Sequence, residues 1–138
     1  MASIFTRIVK GEIPCHKVAE NDHFLAFLDI NPLTIGHTLV IPKKEIDYIF
    51  DIEDDLYKEM FLFAKQVAFA VENVIPCQRI GIAVVGLEVP HAHIHLVPLQ
   101  TIYDIDFKKP KMSLSQEEFV TIAGKISESY LHSLRKKG

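Results

Sequence analysis

His91-Ala92-His93-Ile94-His95-Leu96-Val97 alternates imidazoles with apolar side chains at a period of two. In an extended strand successive side chains point to opposite faces, so this period sets His91, His93 and His95 on one face and Ala92, Ile94 and Leu96 on the other. The apolar set suits packing against a helix. The histidine set is poor packing material, because each ring has two nitrogens to satisfy and protonated neighbours would repel one another. One strand histidine reads as a surface residue; three on a single face read as chemistry. Two chemistries suit the pattern. Neutral imidazoles spaced His-x-His can ligate zinc or another transition metal, with His37 as a candidate further ligand. Alternatively, one imidazole attacks phosphorus while its neighbours hydrogen-bond the phosphoryl oxygens. An ordinary pKa of ~6.5 leaves a lone pair free for that attack at neutral pH.

Working outward, the flanking sequence reads as an α+β domain. Strands are expected over residues 18–20, 24–29, 37–41, 80–85 and 92–97. Asn31-Pro32 breaks the second strand, since proline lacks a donor and restricts the residue before it. Residues 4–9 make one helical turn, ended by Gly11 and Pro14. A long amphipathic helix is expected to start near Asp51, a good N-cap. Its apolar face is Leu56, Met60, Phe63, Ala64, Val67, Val71 and Val74, and Pro76 closes it. Ser115-Gln116-Glu117-Glu118 has capping-box spacing and opens a final helix carrying Phe119, Ile122, Ala123, Ile126, Tyr130 and Leu134.

At 138 residues the chain is one domain's worth, and its 49% hydrophobic content argues against disorder. Two cysteines, Cys15 and Cys77, are too few and too far apart for a disulfide framework, as expected of a reduced, cytoplasmic protein. A net charge of −3 argues against a surface that coats nucleic acid. No apolar run reaches the ~18–20 residues of a membrane span, and the first residues lack a signal-peptide core. Neither nucleic acid nor membrane is therefore an expected partner.

His-x-His-x-His followed by two apolar residues resembles the signature of the histidine-triad (HIT) family of nucleotide hydrolases and transferases, in its small, Hint-like branch. Phe27-Leu28-Asp29-Ile30-Asn31-Pro32, followed by Gly36-His37-Thr38-Leu39-Val40-Ile41-Pro42-Lys43, is a second match. The stretch from Ile4 to Pro14 is similar to this family's opening. The resemblance implies a single antiparallel five-stranded sheet with two main helices. One domain would span 1–138, with a core of 1–98 followed by a loop and C-terminal helix in 99–138. It also implies a homodimer whose sheets join, and a purine nucleotide or nucleotide conjugate as substrate. His93 would be the nucleophile at the α-phosphorus, forming a nucleotidyl-histidine that water cleaves. His95 would hydrogen-bond a phosphoryl oxygen, while His91 and His37 orient the nucleophile and assist the leaving group. Asp29 would take the ribose hydroxyls. Ile4, Phe5, Ile8, Phe27, Leu28 and Ile30 would form the slot for the base, and Gly86 and Val89 would offer backbone N–H groups. No cofactor and no metal enter the covalent step.

The chain departs from the family pattern in two places. The connection before the triad is short, with Leu87 where many relatives have Gln and Glu88 where some have a small hydroxyl residue. Some relatives also hold a structural zinc through an N-terminal Cys-x-x-Cys. This chain has Ser3-Ile4-Phe5-Thr6 there and Glu45 in place of a further ligand, so no structural zinc is expected. Two alternatives stand beside the hydrolase: a non-catalytic nucleotide-binding regulatory module, for which the altered loop is the motive, and a metal enzyme ligated by His91, His93 and His95.

Overall fold

Apolar strands buried on both faces decide how this chain layers. In a computed structural model, which describes residues 2–137, β1 (Lys17–Glu20), β2 (Phe24–Leu28), β3 (Thr38–Pro42), β4 (Arg79–Ala83) and β5 (Ile94–Leu99) form one antiparallel sheet in the order β1-β2-β3-β5-β4. Three α-helices accompany it: α1 (Ile4–Val9), α2 (Asp54–Val74) and α3 (Gln116–Lys137). This is the α+β architecture expected from the sequence. Phe24, Ala26 and Leu28 of β2 point to one face with Val40, Ile94 and Leu96, under Met60, Phe63 and Val67 of α2 and Phe119, Ile126 and Tyr130 of α3. Leu25, Phe27, Leu39 and Ile41 point to the other face, where Phe5 of α1 covers them. No described helix is long and apolar enough to cross a membrane.

Helix starts follow their caps. Ser115 Oγ accepts from the Glu118 amide while Glu118 Oε1 accepts from the Ser115 amide, at 3.1 and 3.0 Å, so α3 opens on the capping box read in the sequence. The start of α2 differs from expectation. Residues Ile49–Asp51 form a 3₁₀ turn, and Glu53 caps the helix by accepting from the Leu56 amide at 2.7 Å.

The last strand also differs. It begins at Ile94 rather than Ala92, so His91 and His93 precede the sheet and the three imidazoles do not share one strand face. Pairing with β3 stops at Val40↔Ile94. Beyond that point Pro42 has no N–H to give a ladder, and its carbonyl accepts instead from the His91 ring at 2.8 Å. The Ala92 amide turns away to the Ile46 carbonyl, 2.7 Å distant.

Two features of the sheet position the site. Cross-strand registers Phe27↔Leu39, Leu39↔His95 and Ala83↔His95 set these residues in one row across the sheet. At the end of the row the chain leaves β2 and returns into β3. There the Asp29 amide donates to the His37 carbonyl at 3.0 Å. Gly36, at φ 90°, makes the return in a left-handed conformation that favours glycine. Asp29 and His37 are thus neighbours because the turn is closed, not because they are close in sequence.

Candidate active site

A cavity of about 410 Å³ opens on the face of the sheet that carries Phe27 and Leu39, within the size range of small-molecule sites. Ile4, Phe5 and Ile8 of α1 form one wall with Phe27, and Leu28 borders the cavity although its side chain packs into the core on the opposite face. Asp29, Ile30, His37, His93 and His95 line the polar end, and Gly86 and Val89 belong to the loop that edges it. Every residue proposed from the sequence therefore borders this cavity except His91.

Backbone partners fix the proton positions of His37, His91 and His93, and through His37 that of His95, because a carbonyl can only accept and an amide can only donate. The Leu33 amide donates to Nδ1 of His37 at 3.0 Å, so a neutral His37 carries its proton on Nε2. That nitrogen lies 3.0 Å from Nδ1 of His95 and donates to it, which places the His95 proton on Nε2. His93 is oriented the opposite way. Its Nδ1 donates to the His91 carbonyl at 2.8 Å, leaving the Nε2 lone pair free. Among the described residues no side chain or backbone group pairs with Nε2 of His93 or of His95. The two rings lie edge to face with centroids 4.9 Å apart. The cavity thus presents one nitrogen lone pair beside one N–H donor.

Electrostatics keep His37 and His95 neutral. Burial, and then the neighbouring His95, Lys111 and His93, pull His37 down to about 3. Burial followed by the charge of His93 pulls His95 down to about 4. Burial also raises the Asp29 carboxyl, against an opposing hydrogen bond from the Asn31 amide, which Oδ1 accepts at 2.9 Å. Its Oδ2 lies 3.6 Å from Nε2 of His37.

His91 plays a different geometric part. Its ring is fully buried outside the cavity, with Nε2 on the Pro42 carbonyl and Nδ1 2.8 Å from the Ser3 hydroxyl. What it offers His93 is its backbone carbonyl. With both His91 nitrogens engaged, the three triad rings do not converge as a ligand set. Among the described residues, Asp29, His37 and His95 are the group whose donor atoms lie within 4.8 Å of one another. There the His37 Nε2–H is already given to His95.

Sequence reasoning left residues 99–138 without a part in the site, yet two of them reach it. Phe107 packs edge-on against His95, centroids 4.8 Å apart. Lys111 lines the cavity with its ammonium held by the Phe107 and Lys109 carbonyls at 2.6 and 3.3 Å. The segment is tied down where the Met112 amide donates to the Pro32 carbonyl at 2.9 Å. It has no periodicity to betray this placement. Glu88 and Leu87 also line the cavity, both exposed.

A family model described as HIT domain matches residues 10–102. An uncharacterised HIT-like protein of Borreliella burgdorferi is 36% identical over 132 residues, covering 90% of this chain and 95% of its own. An adenosine 5'-monophosphoramidase of Schizosaccharomyces pombe is 36% identical over 130 residues, covering 92% of this chain and 97% of its own. Among solved structures, a zinc-bound histidine triad family protein from Mycobacterium smegmatis matches with a TM-score of 0.79 at 27% identity, over 97% of this chain and 98% of that one.

Proposed function

This chain belongs to the HIT domain family, and from that premise we propose that it hydrolyses nucleotide conjugates at the α-phosphate through a nucleotidyl-histidine on His93. The observation that carries the reading is the tautomer of His93. With Nδ1–H held by the His91 carbonyl, the neutral ring carries its lone pair on Nε2, at the cavity's polar end. Attack forms an N–P bond as the bond to the leaving group breaks, an amine leaving group taking a proton from solvent and departing neutral. Because Nδ1 keeps its proton, the nucleotidyl ring is cationic and leaves readily when water attacks the phosphorus.

The other residues divide the remaining work. A chain of donors runs from the Leu33 amide through His37 to His95, whose Nε2–H is aimed at a phosphoryl oxygen. Asp29 takes the ribose hydroxyls. Ile4, Phe5, Ile8, Phe27 and Ile30 hold the purine, Leu28 supports the slot from the core side, and the Gly86 and Val89 amides face the phosphate. The S. pombe relative, named a monophosphoramidase, supports a phosphoramidate as the conjugate. A crystal soaked with adenosine 5'-monophosphate tests the assignment. The expected density puts phosphorus within reach of His93 Nε2 and the ribose on Asp29; sugar and phosphate bound elsewhere would dismiss it.

The working form in this reading is a homodimer. β4 is an edge strand that exposes Ile82, its continuation exposes Val84 and Val85, and α2 exposes Leu62 and Phe69. An uncovered apolar edge invites pairing with a second copy. Sedimentation should give a dimer for the wild type and a monomer for Ile82→Lys; a monomeric wild type would end this part of the proposal.

A further inference from the structure

Behind the cavity wall, around His91, lies a second polar cluster that the proposed chemistry does not use. Glu45 Oε1 accepts from the Ser3 amide at 2.7 Å and from the Thr6 hydroxyl at 2.6 Å. Ser3 Oγ caps α1 by accepting from the Thr6 amide at 3.0 Å, and it meets Nδ1 of His91 at 2.8 Å. The protons can be counted. His91 Nε2 must donate to the Pro42 carbonyl, so Nδ1 accepts and the Ser3 hydroxyl donates to it. The Thr6 hydroxyl proton goes to Glu45. Next to this cluster the Ala92 amide is bonded to the Ile46 carbonyl at 2.7 Å, so residues 45–46 hold residues 91–92 through side chain and backbone together.

Ser3, Thr6 and Glu45 stand at positions where some members of the family hold zinc, and this cluster with His91 beside it does not fit that ion. Two of the four side chains are hydroxyls, which are not among the thiolate, imidazole and carboxylate donors of structural zinc sites. The Glu45 oxygen and the His91 Nδ1 that remain are already paired at 2.6–2.8 Å.

We propose that Ser3, Thr6, Glu45 and His91 form a metal-free clamp that positions the His93 ring, with Glu45 and Ser3 as positioning residues. The inference rests on the reading of His93 as nucleophile. The clamp acts along two routes. It fixes His91, whose carbonyl holds the His93 Nδ1–H. It also fixes α1, whose Phe5 stands edge-on to His93 and His91 with centroids 5.1 and 5.8 Å away. If either route loosens, His93 can turn its ring or move its proton to Nε2, and the lone pair is lost.

The test compares Glu45→Ala, Glu45→Gln and Ser3→Ala with the wild type in the full chain. Glu45 is exposed, so both of its variants are expected to melt cooperatively; Ser3 is buried and caps α1, so the Glu45 pair carries the test. Nitrogen-15 NMR of the histidine rings should show wild-type His93 protonated on Nδ1 alone and Glu45→Ala as a mixture of tautomers. With adenosine 5'-phosphoramidate, kcat should fall ~10-fold or more in Glu45→Ala while KM stays within ~3-fold, as for a misplaced reacting group. Glu45→Gln, whose amide oxygen can take both donors, should recover most of the loss. The purified wild type should carry no zinc and be indifferent to chelators. An unchanged His93 tautomer in Glu45→Ala overturns the clamp, and so does stoichiometric zinc in the wild type that Glu45→Ala loses. A wild type that releases no nucleotide defeats the functional reading, and the NMR comparison still decides the clamp.

Discussion

The Nδ1 of His93 lies 2.8 Å from the carbonyl oxygen of His91, two residues earlier in the chain. A local backbone contact of this kind sets the tautomer of a ring, and it leaves Nε2 to face the cavity. Replacing that ring removes the nucleophile and little of the binding surface. His93→Ala should therefore lower phosphoramidate turnover by roughly 10⁴-fold or more while adenosine 5'-monophosphate affinity stays within a few-fold. Product release and calorimetry check both halves. Residual turnover close to wild type would remove His93 from the mechanism. A wild type that binds nucleotide but never releases product would favour the regulatory-module alternative.

Opposite charges edge the same cavity. Lys111 is the ammonium that lines it, and Glu88 is a carboxylate in the loop before the triad. Both are exposed, so each is expected to shift nucleotide affinity by no more than ~1 kcal/mol. Lys111→Met should weaken adenosine 5'-monophosphate binding and Glu88→Gln should strengthen it, each by up to about five-fold. Neither should alter binding of uncharged adenosine, and high salt should shrink both effects. Equal effects on nucleoside and nucleotide would show that the side chains act through packing rather than charge.

Stability should depend on pH through the buried imidazoles. Burial holds His37 at about 3 and His95 at about 4, both below the ordinary 6.5. Below pH 6.5 the unfolded chain takes up protons that the folded chain refuses. The stabilisation is thus complete above about 6.5 and is lost as the pH falls toward 4. The slope is up to ~1.4 kcal/mol per pH unit for each ring. Asp29, whose carboxyl burial raises, is protonated earlier in the fold and works against this loss only in the carboxylate range. Denaturant midpoints measured from pH 7.5 to 4.5 should decline across the histidine window. A flat profile between pH 7 and 5 would mean that these rings are charged or solvated in the fold.

The sequence reveals the elements and most of the cavity lining, because periodicity and caps are local. The Ser115–Glu118 box and the apolar face of α2 are of this kind. The start of β5 was misplaced because what ends the strand is tertiary. Proline at position 42 removes a ladder donor, and the His91 ring takes its carbonyl. The same bond moves the His91 ring out of the cavity, which a period-two pattern cannot reveal. Lys111 and Phe107 reach the site from an irregular segment with no repeating signal. Proton positions were hidden for a related reason: they depend on the Leu33 amide and on the Pro42 and His91 carbonyls, backbone groups that carry almost no mark of residue type.

Nucleophilic attack by His93 leaves a covalent trace. Wild-type protein mixed with adenosine 5'-phosphoramidate, quenched at neutral pH and digested with trypsin, should yield an adenylylated peptide running from Ile80 to Lys108. Fragmentation should place the adenylyl group on residue 93, brief acid treatment should remove it, and His93→Ala should show no adduct. Turnover by the wild type without any adduct under rapid quench, or an adduct that persists in His93→Ala, would contradict the account.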